Sequence, residues 1–145
     1  MAREISTEIE INASPAAVWR ELTNFSAYPS WNPFIQSIDG PLHEGSRLTV
    51  LICPPNNKEM RFKPVIRTVE EAKEIVWKGK FLIPGLFDGE HGFELIPLST
   101  DRTRFVQKEK FSGVLVPLFW SMLDRDTRQG FIDMNKALKA RCEGA

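Results

Sequence analysis

The segment YPSWNPF at positions 28–34 constrains this chain more than any other. Two prolines within seven residues oppose a helix running through it, and each pushes the residue before it toward extended backbone. The large rings of Tyr28, Trp31 and Phe34 lie among them and need a hydrophobic surface to rest on. Around this segment the chain must therefore close over something apolar. The part of the chain before it is short. Ile5, Thr7, Ile9 and Ile11 alternate with Ser6, Glu8, Glu10 and Asn12, the period of two expected of a strand with one wet face. Ser14 followed by Pro15 then reads as an N-cap and first helical residue, and Val18, Trp19 and Leu22 give a helical stripe that ends near Asn24.

Beyond Phe34 the chain reads as a long series of strands separated by turn residues. Residues 35–38, 47–53, 60–70, 74–81, 87–97 and 103–112 read as strands, and connections this short make neighbours antiparallel. From Pro117 to about Arg141 the period changes. Phe119, Met122, Leu123, Asp126, Gly130, Phe131, Met134 and Leu138 recur at three- and four-residue spacing, predicting one amphipathic helix. Such a helix is roughly 37 Å long at 1.5 Å per residue, so a sheet of comparable strands must curl around it. This order is α+β: a curved antiparallel sheet of about seven strands around a long C-terminal helix, with two short helices after the first strand. Without a repeat, linker or low-complexity tract, residues 1–145 read as a single domain.

Composition narrows the function classes. Nineteen basic and nineteen acidic residues balance, so nucleic acid is not an expected partner and an anionic membrane is not favoured. No window approaches the ~20 apolar residues of a membrane span, and the first residues carry charge early, so no stable membrane insertion is expected. Cys53 and Cys142 lack metal-ligand spacing. There is no GxGxxG, Walker loop or His-x-x-x-His, and neither a cofactor nor a metal is expected. The chain reads as soluble and cytoplasmic.

The element order, the 28–34 segment, Gly89-Glu90-His91-x-Phe93, Thr103-Arg104-Phe105 and Phe111-Ser112-Gly113 together resemble the START-like (SRPBCC) superfamily, and within it the polyketide cyclase/dehydrase-like group. The resemblance covers nearly the whole chain. It implies a helix-grip fold with a hydrophobic cavity between sheet and terminal helix. It also implies lipid carriers, plant hormone and allergen-type binders, aromatase/cyclases and chaperone activators as functional kin, since one scaffold hosts all of these.

Strand alternation places Phe87, Gly89, His91, Phe93 and Leu95 on one face, and Phe105, Gln107, Glu109 and Phe111 on one face of the next strand. If both faces look inward, His91, Gln107 and Glu109 are polar groups in an aromatic chamber. His91 and Glu109 are then candidates for acid and base in a cyclase, dehydratase or hydrolase type of enzyme. The alternative, which the lack of a nucleophile or third orienting residue favours, is that the three bond one another or ordered water and only orient the core. Trp31, Trp77, Phe81, Phe119, Met122, Phe131 and Met134 complete the expected ligand wall, with Gly79 and Gly89 leaving space. The apolar stretches 82–86 and 114–118, near the turn at Pro54 and Pro55, are expected to form a cavity mouth, a homodimer contact or a partner site. The favoured reading is binding of an apolar or aromatic small molecule. The rivals are the acid/base enzyme and a protein-interaction module of chaperone-activator type.

Overall fold

The computed structural model describes residues 3–80, 85 and 87–144. Its first strand, β1 (Arg3–Ile11), buries Ile5 and Ile11 while the intervening Glu4, Ser6, Glu8 and Glu10 face water. Helix α1 (Pro15–Thr23) begins where Ser14 Oγ accepts the Ala17 amide at 3.1 Å. That bond satisfies one of the helix's free donors, so Ser14→Ala is expected to cost about 1 kcal/mol. A thermal melt unchanged by the substitution would show that the cap contributes nothing.

A 3-10 turn over Phe25–Ala27 leads into α2 (Tyr28–Trp31). The 28–34 segment is thus partly helical: Pro29 occupies the first turn, where its missing amide costs nothing, and the helix stops before Pro33. Asn32 Oδ1 accepts the amides of Phe34 and Ile35, both at 2.9 Å, and turns the chain into β2 (Ile35–Asp39). Tyr28 is fully buried and its hydroxyl donates to the Leu22 carbonyl. Burial pushes that hydroxyl far above its ordinary titration range.

The remaining strands are β3 (Thr49–Ile52), β4 (Met60–Phe62), β5 (Val65–Glu70), β6 (Glu74–Lys80), β7 (Asp88–Ser99) and β8 (Arg102–Ser112). They form two antiparallel sheets ordered β1-β8-β7-β6-β5 and β2-β3-β4. Residues 45–48 join them. Leu48 donates to the Pro64 carbonyl at 2.9 Å, and Ile66 donates to Ser46 at 2.8 Å. The expected strand over 60–70 is cut between β4 and β5 around Lys63 and Pro64, because proline has no amide to continue the ladder. Counted as one kinked strand, the pair brings the total among the described residues to the expected seven.

The terminal helix also departs from the single stripe read in the sequence. Helix α3 (Val116–Met122) runs through a π-helical stretch over Leu123–Thr127 into α4 (Arg128–Glu143). A π turn holds an extra residue and rotates the faces on either side of it. Gly130, Phe131, Met134 and Leu138 are buried, whereas Phe119 and Met122 are 41% and 40% exposed. At Asp126, the buried residue of the π stretch, Arg125 donates to both carboxylate oxygens, and Asn57 donates to Oδ2 at 2.6 Å. Those bonds, Arg125's first, hold the Asp126 carboxyl below the usual carboxylate range. They tie the loop after β3 to the helix.

Helix α4 lies against β1, β8 and α1. Gly130 is required there: a β-carbon would overlap the Phe34 ring. Among the described residues, no helix is long and apolar enough to cross a membrane.

Candidate functional site

Strand register arranges the concave face of the large sheet in rows. One row runs Ile5, Glu109, His91, Trp77 and Ile66 across all five strands. The next, toward the α4 end of the face, contains Thr7, Gln107, Phe93 and Ile75. On the other side lie Phe111, Gly89 and Gly79. Paired glycines in adjacent strands leave a patch of sheet with no side chains of its own, and the Glu109 carboxylate overlies its Gly89 end.

Over that patch opens a cavity of about 260 Å³. Its floor is Trp77, Gly79, Gly89 and Phe111, with His91 and Glu109 at one end. Val50, Ile52, Met60 and Phe62 of the small sheet, with Phe34, form one side. Leu115, Phe119, Met122 and Leu123 of the terminal helix region form the other. An engineered apolar cavity of about 150 Å³ admits benzene, so this one has room for a body of one or two rings.

His91 is 2% exposed and boxed by rings. It stacks on Trp77 at 5.3 Å and meets Phe131 edge-on at 5.1 Å. Both of its nitrogens have partners: Nδ1 lies 3.2 Å from Glu109 Oε1, and Nε2 lies 3.1 Å from Gln107 Oε1. Gln107 Nε2 donates to Asn135 Oδ1 at 2.8 Å, and Asn135 Nδ2 donates to Thr7 Oγ1 at 2.9 Å. Thr7 Oγ1 in turn donates to the Gln107 carbonyl at 3.1 Å. The polar groups of the chamber therefore form one connected network linking β7, β8, α4 and β1.

Of the side chains singled out in the sequence, Trp77, His91, Glu109, Phe111, Phe119 and Met122 meet at the cavity. Phe93, Phe105, Gln107, Phe131 and Met134 are inward and buried, yet lie in the packed core beyond its end. Trp31 is partly buried and packs edge-on against Tyr28 at 5.1 Å, away from the cavity. Phe81 lies outside the described residues, as does the 82–86 stretch apart from Gly85. In the 114–118 stretch Val116 is buried, while Val114 and Leu118 are each 74% exposed. The contribution of β2–β4 to the cavity was not read from the sequence. Neither was Asn135, although it neighbours Met134 and stands four residues after Phe131 on the buried face.

A curved antiparallel sheet closed by a long terminal helix over an apolar chamber defines a START-like helix-grip protein. Residues 2–143 match the family described as polyketide cyclase / dehydrase and lipid transport, and the chain belongs to that family. Among solved structures, an aromatase/cyclase from Streptomyces superposes with a TM-score of 0.80 at 13% identity, over 99% of this chain and 94% of that one. A START superfamily protein from Mycobacterium smegmatis gives 0.77 at 22% identity, with 97% of each chain covered. Norcoclaurine synthase from Thalictrum flavum, a point mutant bound to a transition-state analogue, gives 0.73 at 14% identity, over 98% and 94%. Identities this low establish a shared fold. No curated protein matches by sequence.

Proposed function

We propose that this protein binds an apolar or aromatic small molecule, of lipid- or polyketide-like character, in the cavity between the large sheet and the terminal helix. The observation that carries this reading is a space of about 260 Å³ walled mainly by rings and aliphatic side chains, with the His91 and Glu109 pair at its end and Lys80 and Thr127 also in its lining. Pockets of this make-up bind by burying most of the ligand and orienting it through a few polar groups. Phe119 and Met122, exposed at the rim, suit a mouth through which such a molecule passes. Native mass spectrometry of the purified protein should reveal an adduct that is lost on denaturation, or uptake of an added hydroxylated aromatic at one per chain. Absence of both would overturn the reading.

A second reading, an acid/base enzyme, is favoured by one observation: the Glu109 carboxylate, bonded to His91, faces the cavity. An aromatase/cyclase and a synthase share this fold. Under this reading Glu109→Gln lowers turnover far more than affinity, because proton transfer matters only in the transition state.

A further inference from the structure

The hydrogen-bond chain behind the cavity has a fixed end. The Gln107 carbonyl can only accept, so the Thr7 hydroxyl spends its proton there and accepts from Asn135 Nδ2. Asn135 Oδ1 is then the acceptor for Gln107 Nε2, which leaves Gln107 Oε1 facing His91 Nε2. An amide oxygen only accepts, so Nε2 carries a hydrogen. The other ring nitrogen lies 3.2 Å from Glu109 Oε1, and this contact needs one proton between the two atoms.

Wherever that proton rests, the His91 and Glu109 pair is neutral as a whole, and Glu109 Oε2 has only lone pairs to offer. Oε2 occupies the place where a β-carbon on Gly89 would stand, so the glycine is the seat of the carboxylate. Among the described residues nothing donates to it. Glu109 is only partly buried, its side chain 17% exposed, and it lines the cavity.

We propose that the ligand is a neutral hydroxylated aromatic whose hydroxyl donates to Glu109 Oε2 while its ring lies over Gly79 beside Trp77 and Phe111. This inference rests on the proposed binding function and names the ligand's chemistry. An ammonium in the same place would bring an unbalanced charge into an apolar chamber beside a neutral pair. A ligand offering only an acceptor would oppose lone pair to lone pair.

The test is a calorimetric or NMR titration with 2-naphthol and its methyl ether, 2-methoxynaphthalene, in which a methyl group replaces the donated hydrogen on the same ring. The protein should prefer the naphthol by about tenfold or more, the scale of one satisfied polar contact. Glu109→Met should narrow the gap to about twofold or less. Gly89→Ala should narrow it too, by displacing the carboxylate while keeping every ionisable group, and it covers the case in which the first variant fails to fold. Equal affinities in the unmodified protein, or a gap that survives Gly89→Ala, would overturn the donor assignment and leave cavity binding standing. Failure of both compounds to bind would overturn the two readings together.

Discussion

Phe131→Ala is expected to lower the unfolding free energy by about 3 to 5 kcal/mol, the range for deleting a buried large ring. Phe131 is fully buried, on the face of α4 that the sheet grips. It meets Phe34 edge-on at 5.5 Å and His91 edge-on at 5.1 Å, so one ring joins the terminal helix, the segment before β2 and the large sheet. Its removal would extend the existing void into the core, and apolar surroundings this well packed collapse only in part. Urea unfolding followed by circular dichroism measures the loss directly. A drop below about 1 kcal/mol would mean that the helix is held by other contacts and that Phe131 is not the joint of this core.

Gly79→Leu should separate folding from binding. Gly79 lines the cavity floor, and a β-carbon there would make only ordinary contact, 3.5 Å from Pro64 Cβ. The branched side chain beyond it would project into the space proposed for the ring. Affinity for 2-naphthol is therefore expected to fall by about a hundredfold or more. Stability should hold or rise slightly, because a strand glycine is replaced and a void is filled. Unchanged affinity in the folded variant would place the ligand elsewhere. Destabilisation with binding retained would show the cavity to be tighter than its geometry indicates.

The architecture was legible because its signals are local and repetitive. Alternation along β1, β7 and β8 fixed which residues face inward, and His91, Gln107 and Glu109 were found on that face. Ser14 with Pro15 marked the start of α1 for a plain hydrogen-bonding reason. Alternation carries no information about depth along a strand. Phe93 and Phe105 share an orientation with Phe111, but the first two are packed into the core and the third lines the cavity. That distinction arises only when the elements assemble. The break near Pro64 and the π stretch escaped for a related reason: each is a defect in a regular period, and a template built on the period reads through it. Trp31, between two prolines, was expected in the ligand wall. Local chain geometry determines where such a ring can go, and here it rests on Tyr28 near the surface.

Gly79, which faces Gly89 across β6 and β7, leaves part of the concave sheet uncovered, so the protein folds with some of its apolar stabilisation unclaimed. A guest bound there, as proposed, would complete the interior, and by mass action a guest at a hundred times its dissociation constant would add about 2.7 kcal/mol to the folded state. Because cellular degradation tracks the small unfolded fraction, such a gain lengthens the chain's survival. Abundance of the protein would then track supply of its guest, with no sensor or regulator beyond one missing side chain.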